Sequence, residues 1–235
     1  MGCDPGRGQN GRNTRVTDHT ACPCQALFEG TCSWSLARRV ARRHPTLRHL
    51  FKVVGPLQTK VPRGHSTHEA ILRVIIGQML SSKAASAIRI RLMEEHGTAE
   101  GVFRWAAKGR APRGPGGGLT LVKRKALRAW WQYCQEGAHD PAKTWRTLSN
   151  TELRDAVSQM YGLGSWSADV LGIFLMGRLG IWPVGDVGLD RAQAIVFRGV
   201  GKREFPRLIA GYESLVAVYL WEVLNRELTH HFSSQ

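Results

Sequence analysis

Apolar residues recur along this chain every three to four positions, in segments separated by short polar or glycine-rich stretches. The clearest pattern predicts a helix that begins at Ser66 or Thr67, ends at Gly97 and has one apolar face, formed by Ile71, Val74, Ile75, Leu80, Ala84, Ala87 and Ile88. The same spacing predicts helices over 119–136, 151–160, 165–178, 187–197 and 212–224. No segment alternates as a strand does, so we expect an all-α protein.

The two ends of the pattern suggest where the folded part lies. Residues 1–32 are polar and show no helical or strand period, which predicts a flexible N-terminal tail before a folded domain over 33–230. Pro45 should divide the first helical segment into two short helices. The glycine-rich stretch 108–118 predicts a loop, and it lacks the Lys-Ser/Thr pair of a nucleotide-binding loop.

Charge narrows the class of partner. Lysine and arginine number 33 against 18 acids, a formal net charge of +15, and this favours a polyanion, foremost nucleic acid. The alternative is a soluble basic protein without such a partner. No apolar run is long enough to span a membrane, so we expect a soluble protein of the cytoplasm or nucleoid, or of the nucleus in a eukaryote.

The five cysteines give little support to a metal or disulfide framework. Their odd number, in a chain without an apolar signal segment, indicates free thiols. The spacing of Cys22, Cys24 and Cys32 fits no common zinc knuckle, although zinc stays an alternative there.

One turn is a candidate for a binding or catalytic site. Tyr161-Gly162-Leu163-Gly164-Ser165-Trp166 lies between two helical patterns, and Asp186 follows eighteen residues after Ala168. Two glycines leave backbone N–H groups unshielded by Cβ atoms, so the start of the next helix can approach a phosphate oxygen. The pattern therefore predicts a phosphate-binding hairpin with one carboxylate downstream.

Four motifs now carry a resemblance to a known family. Residues 153–174 resemble the helix-hairpin-helix of the HhH-GPD superfamily of DNA glycosylases, and Pro183-Val184-Gly185-Asp186 resembles its Gly/Pro-rich loop with an aspartate. Residues 75–85 resemble the family's Ile-x-Gly-Gln-x-x-Ser-x-x-Ala-Ala helix, while Lys125-Ala126 and Tyr219-Leu220-Trp221 match further positions. The resemblance implies two helical lobes around a DNA-binding cleft, with the helix-hairpin-helix over 151–178.

Trp166 indicates which branch of the superfamily the chain resembles. Members of the endonuclease III type have a lysine at this place, whose amine attacks the sugar, whereas the chain resembles the 3-methyladenine DNA glycosylase II branch, in which a tryptophan lines the base pocket. The resemblance implies a monofunctional N-glycosylase without AP-lyase activity, with Trp166 and Trp182 in the base pocket. It also implies no iron-sulfur cluster, since no cysteine follows Cys134.

The resemblance further assigns roles in base excision repair. The enzyme would flip an alkylated or deaminated purine out of double-stranded DNA, with Gln78, Met79 and Leu80 intercalating into the gap. Asp186 would be the catalytic carboxylate, because it could stabilise positive charge on the sugar. A phosphate would bind at Gly162, Gly164, Ser165 and Trp166, with Lys125 nearby and with Na⁺ or K⁺ optional at the hairpin. We expect a monomer that acts on damaged double-stranded DNA.

Each assignment has a plainer alternative. Met79, Leu80 and Trp166 could be core residues, and Asp186 could be a helix N-cap, a role compatible with catalysis. Lys125 could be one of several exposed helix charges. Glu213 stands where the family often has arginine, which puts the substrate range in doubt. For the whole protein, the alternatives are a helix-hairpin-helix protein that binds damage without cutting, and a bifunctional lyase that uses another lysine.

Overall fold

The computed structural model describes residues 33–57, 66–108, 118–137 and 140–232. Every regular element in these ranges is helical, which confirms the all-α prediction. In chain order the α-helices are α1 Ser33–Val40, α2 Pro45–Val54, α3 Thr67–Gly77, α4 Ser82–His96, α5 Ala99–Ala107, α6 Leu121–Glu136, α7 Pro141–Trp145, α8 Asn150–Ser158, α9 Ser165–Phe174, α10 Val187–Val196, α11 Phe205–Ile209 and α12 Glu213–Asn225. Short 3-10 segments lie at Ala41–Arg43 and Leu228–Phe232.

The capping residues follow the sequence signals. Ser66 caps α3 through a hydrogen bond that its Oγ accepts from the Glu69 backbone N–H at 3.2 Å. Ser149 and Glu152 form a complete capping box at the start of α8. Pro45 begins α2, as predicted. The helices α7 and α11 have five residues each, too few to show a helical period, and the sequence did not predict them as helices.

The long helix predicted from Ser66 or Thr67 to Gly97 is wrong in one respect, because the chain breaks it between Gly77 and Ser82. Met79 has a φ of 58°, in the left-handed region that few non-glycine residues adopt. The Ser81 Oγ then accepts a hydrogen bond from the Ala84 N–H at 3.3 Å and starts α4. Helical spacing of apolar residues continued across the break, which is why periodicity alone missed it.

Buried side chains form two hydrophobic clusters. The first, which we call the terminal cluster, joins α1, α2, α10, α11, α12 and the 3-10 segment at Leu228–Phe232. The second, the central cluster, is built by residues between Ile71 and Met176, from α3 to α9. The hairpin between α8 and α9 belongs to the central cluster, whereas α10 packs on α12 in the terminal cluster.

The predicted tail with Cys3, Cys22, Cys24 and Cys32, and most of the predicted glycine-rich loop, lie outside the described residues. Among the helices that are described, none has the length and apolar character needed to cross a membrane.

Candidate active site

Asp186 and Trp166 meet where the two clusters adjoin. The Trp166 Nε1–H donates to Asp186 Oδ2 at 2.8 Å, and the Leu189 backbone N–H donates to Asp186 Oδ1 at 2.7 Å. The second bond makes Asp186 the N-cap of α10. The N-cap alternative is therefore confirmed, and the carboxylate has in addition a fixed orientation towards Trp166.

The turn before α10 presents this carboxylate. Asp186 is half-buried and lies between Val184 and Val187, which are exposed. Gly185 has a φ of 82°, which a glycine adopts without the steric penalty of a side chain. The turn thus leaves Asp186 at the surface, with apolar side chains on either side of it.

The hairpin between α8 and α9 has the geometry that its two glycines allow. Gly162 has a φ of 80°, and a Cβ atom there would lie 2.6 Å from the Ala126 Cβ of α6. Gly164 is the N-cap of α9, no side chain caps that end, and a Cβ atom at Gly164 would meet nothing within 4 Å. Since the first N–H groups of a helix have no intrahelical partner, this end of α9 can accept an anion.

An ion pair between a half-buried arginine and a buried aspartate links the two helices of the hairpin. Arg154 of α8 donates through Nε to Asp169 Oδ1 of α9 at 2.8 Å. Burial raises the pKa of the Asp169 carboxyl above its ordinary value, and the guanidinium of Arg154 opposes that rise. Asp169 is therefore a structural acid, distinct from Asp186.

The loop after α3 exposes the predicted wedge. Met79 is 97% exposed and Leu80 is 40% exposed, so Met79 is not a core residue and Leu80 is only partly covered. The Met79 backbone is in the left-handed region that non-glycine residues adopt uncommonly, so the conformation calls for an explanation. Of the predicted intercalating residues, Met79 has the geometry that best fits the role.

Gln78 has partners other than those predicted. Its side-chain Nε2–H₂ donates to the Gly162 carbonyl at 2.7 Å and to the Ser167 Oγ at 3.2 Å. These bonds tie the loop after α3 to the hairpin. The intercalating role of Gln78 stays a prediction, and in this structure its amide bridges two parts of the protein.

Lys123 was predicted with Lys125 as a DNA-backbone contact or an exposed helix charge, and the structure gives it other partners. Its Nζ donates to the carbonyl of Ile76 at 2.7 Å and to the carbonyl of Gln78 at 2.8 Å. The charge pattern of α6 suggested an exposed cation like Lys125, yet Lys123 is buried and Lys125 is exposed. The available signal was position, since Lys123 shares a helical face with the buried Ala126, Leu127 and Trp130.

Trp182 belongs to a different cluster from Trp166. It packs on the terminal cluster and makes an edge-to-face contact with Phe205 at 5.3 Å between ring centroids. It also lines an open cavity of about 460 Å³ whose other walls are Gln193, Lys202, Phe205, Pro206, Ile209 and Glu213. Neither Trp166 nor Asp186 lines this cavity, and the assignment of both tryptophans to one base pocket stays a prediction.

Metal-ligating side chains do not cluster in the part of the chain that is described. No group of three or more His, Cys, Asp or Glu residues there could hold an ion. Cys134 is the cysteine within that part, and burial raises the pKa of its thiol to about 11, so the thiol stays protonated near neutral pH.

Comparisons with known proteins bear on the fold. No family model matches the chain. It is 22% identical over 187 residues to the alkylbase DNA glycosidase-like protein mag2 of Schizosaccharomyces pombe, covering 74% of this chain and 85% of that protein. The structure resembles the 3-methyladenine DNA glycosylase Mag1 of the same yeast in complex with abasic DNA, with a TM-score of 0.65 and 21% identity over 80% of this chain and 96% of that one.

Two prokaryotic structures are similar as well. A DNA-3-methyladenine glycosidase from Bacillus halodurans gives a TM-score of 0.58 and 23% identity, over 80% of this chain and 88% of that one. A 3-methyladenine DNA glycosylase from Archaeoglobus fulgidus gives 0.60 and 17%, over 80% and 68%. The protein thus has the same helical fold as these 3-methyladenine DNA glycosylases.

Proposed function

We propose that this protein is a monofunctional DNA glycosylase of base excision repair that hydrolyses the N-glycosidic bond of alkylated or deaminated purines in double-stranded DNA. The observation that carries the proposal is the Asp186 carboxylate, oriented by Trp166 and by the start of α10 in a fold shared with 3-methyladenine DNA glycosylases. The net charge of +15 supports a polyanionic substrate.

The first step is extrusion of the damaged nucleotide. A base inside the duplex hides its C1′ atom, and unstacking it costs a few kcal/mol. Met79 enters the gap and replaces the lost stacking contacts with a flexible apolar side chain. Its exposure means that no protein contact has to be broken for this to happen.

Trp166 provides the surface for the extruded base. Alkylation at N3 or N7 puts positive charge on a purine, and the electron-rich face of an indole ring attracts a cation. Because the indole N–H is held by Asp186, the ring is fixed before the base arrives. The same contact keeps the carboxylate next to the ring, and therefore next to a nucleotide stacked on it.

The bond that breaks is the one between C1′ and the purine nitrogen. Its electron pair leaves with the base, so an N3- or N7-alkylated purine departs neutral and positive charge develops on the sugar. The ionised carboxylate of Asp186 stabilises that charge. A water oxygen then bonds to C1′ and gives up its proton to Asp186, from which the proton passes to solvent.

The hairpin holds the DNA backbone during these steps. The N–H groups of Gly164, Ser165 and Trp166, at an end of α9 that no side chain caps, would bind a phosphate, and Lys125 would add an exposed positive charge. Such contacts position the duplex without reading its sequence.

A monovalent cation at the hairpin would have to share its oxygen ligands with the protein. The Gly162 carbonyl already accepts a bond from Gln78, and the Met160 carbonyl accepts one from the Leu163 N–H. A carbonyl oxygen has two lone pairs, so each could still bind Na⁺ or K⁺. Such an ion would add positive charge next to the bound phosphate.

The test measures base release by wild type and by Asp186→Asn from duplexes carrying 3-methyladenine, 7-methylguanine or hypoxanthine. Asparagine also caps helices well, so the variant should fold. We expect wild type to release at least one base and Asp186→Asn to be slower by about a hundredfold or more. Asp190→Asn, which changes an exposed acid one turn along α10, is the matched control and should equal wild type.

Other outcomes favour the other interpretations. If wild type binds lesion-containing DNA more tightly than intact DNA but releases no base, the protein is a damage-binding protein. A covalent complex trapped by borohydride would identify a bifunctional lyase. We expect no such complex, because the tryptophan at position 166 has no amine for the attack.

A further inference from the structure

Lys123 is a charged residue in an unusually buried position. It is 9% exposed, its ammonium group lies among backbone atoms, and no carboxylate pairs with it among the described residues. Burial lowers the pKa of Lys123 from its ordinary value. Because an unpaired buried charge is costly, a lysine at this place calls for a reason beyond packing.

The two atoms that Lys123 binds indicate that reason. The carbonyls of Ile76 and Gln78 lie at the C-terminal end of α3, where the last carbonyls of a helix lack intrahelical partners and the helix dipole is negative. A cation is favourable at such an end. The residue that follows these carbonyls is Met79, in its left-handed conformation.

Gln78 supplies a second brace to the same loop. Its side chain binds Gly162 and Ser167 of the hairpin, while its carbonyl binds Lys123 of α6. The residue before Met79 is therefore held from both sides, by two different helical units. Met79 itself touches almost nothing.

We propose that Lys123 is a positioning residue for base extrusion, which caps the end of α3 and thereby holds the Met79 backbone rigid while the side chain enters the DNA. This inference rests on the proposed glycosylase function. The extruded base tends to restack in the DNA, so the intercalated side chain has to stay in place. If the loop that carries it were flexible, part of the binding energy would be spent on ordering that loop. Lys123 does not contact the base or the sugar.

The experiment uses a substrate that needs no wedge. In one duplex the lesion that wild type releases fastest faces its normal partner, and in the second it faces an abasic site, where the base is already loosely stacked. Rates of base release are measured under single turnover with saturating enzyme. Lys123→Met removes the ammonium group but keeps an unbranched apolar stem of similar length.

We expect Lys123→Met to be slower than wild type by about tenfold on the first duplex and by less than about threefold on the second. Lys123→Arg, which retains a cation with donors, should recover part of the loss. Lys143→Met removes one exposed positive charge from α7 and controls for weaker attraction to DNA. It should behave as wild type on both duplexes.

A double-mutant cycle tests whether Lys123 acts through Met79. If it does, Lys123→Met combined with Met79→Ala should be no slower than Met79→Ala alone, because the wedge that Lys123 positions is then already missing. Additive losses would overturn the proposal. An equal loss on both duplexes would also overturn it, since that result would show a general structural defect.

Extrusion can also be followed without chemistry. In the Asp186→Asn background, a 2-aminopurine next to the lesion should brighten on binding, and Lys123→Met should reduce that signal about tenfold. If the signal is unchanged by Lys123→Met, the inference fails even if the protein is a glycosylase. If wild type releases no base from any duplex, the proposed function fails, and the fluorescence signal still decides the role of Lys123.

Discussion

The indole N–H of Trp166 donates to Asp186 Oδ2 across 2.8 Å, and this bond joins the two hydrophobic clusters of the protein. Trp166 packs on the central cluster, whereas Asp186 begins α10, whose buried residues belong to the terminal cluster. This hydrogen bond therefore helps to orient the carboxylate and links the start of α10 to the hairpin.

Trp166→Phe isolates the contribution of that bond. Phenylalanine keeps an aromatic face for the base but has no N–H, so the carboxylate loses one of its two donors. A hydrogen bond to a charged group contributes about 1.5–3 kcal/mol. We expect base release in single turnover to slow by roughly ten- to a hundredfold if the full contribution acts in the transition state.

Trp131→Phe is the matched control, because Trp131 is also partly buried and does not contact Asp186. That variant should release base at the wild-type rate. If Trp166→Phe proved as fast as wild type, the indole would serve only as a stacking surface.

Met79→Gly should change stability and activity in opposite directions. The left-handed backbone costs a non-glycine residue about 1–2 kcal/mol, which glycine avoids, although glycine also gives the unfolded chain more freedom. Since the exposed side chain makes few contacts, we expect the free energy of unfolding to rise by about 0.5–1 kcal/mol in urea titrations. Base release from duplex DNA should fall, because the wedge is gone.

Met79→Ala separates the two effects. It removes the wedge but keeps a Cβ atom, so it should lose base release without gaining stability. A stability gain in Met79→Ala equal to that in Met79→Gly would show that backbone conformation is not its cause.

The two hairpin glycines should respond differently to alanine. At Gly162 a Cβ atom would meet Ala126 and a positive φ, so Gly162→Ala should lower the free energy of unfolding by roughly 2–4 kcal/mol. At Gly164 the space is open, and Gly164→Ala should cost less than about 1 kcal/mol. Its Cβ atom would instead stand where a phosphate approaches, so DNA affinity should fall.

Adding Ala126→Gly to Gly162→Ala should recover part of the stability, since it removes the atom that clashes. Unchanged DNA affinity in Gly164→Ala would mean that the phosphate binds elsewhere. Both measurements need a stated salt concentration, because affinity for DNA falls steeply with salt.

Arg178 should matter for stability more than for chemistry. Its guanidinium donates to the Asn150 Oδ1 and to the carbonyls of Trp145 and Leu148, at 2.7 to 2.9 Å. Arg178→Met leaves these acceptors without their donor, so we expect a loss of roughly 3 kcal/mol in the free energy of unfolding. Arg178→Lys should restore little, because an ammonium group cannot reproduce the planar fork.

The fold could be predicted from sequence to the extent that each helix carried its own signal. Caps such as Ser66 and Ser149 and the break at Pro45 are local chemistry, and the structure agrees with them. The break after Gly77 was harder, because apolar spacing runs across it and only the Met79 backbone conformation reveals it.

The candidate site, like the fold, could be predicted from the sequence only in part. Asp186 could be identified by motif, and its N-cap role by residue type, but no pattern states which atom faces it. The partners of Gln78 and the burial of Lys123 arise from contacts between segments distant in sequence, which a one-dimensional pattern does not contain. Trp182 was assigned by its place beside a motif, and its contacts with Phe205 and the terminal cluster became visible only in three dimensions.

The two clusters also differ in which parts of the sequence form them. The central cluster is one continuous stretch, from Ile71 to Met176, whereas the terminal cluster joins residues 36–57 to residues 173–232. During synthesis the middle of the protein, with the hairpin and the Met79 loop, can fold while the C-terminal part of the terminal cluster is still on the ribosome. Asp186 begins α10, which packs on α12, and α12 contacts α2, so the placement of this carboxylate depends on helices that leave the ribosome after the hairpin.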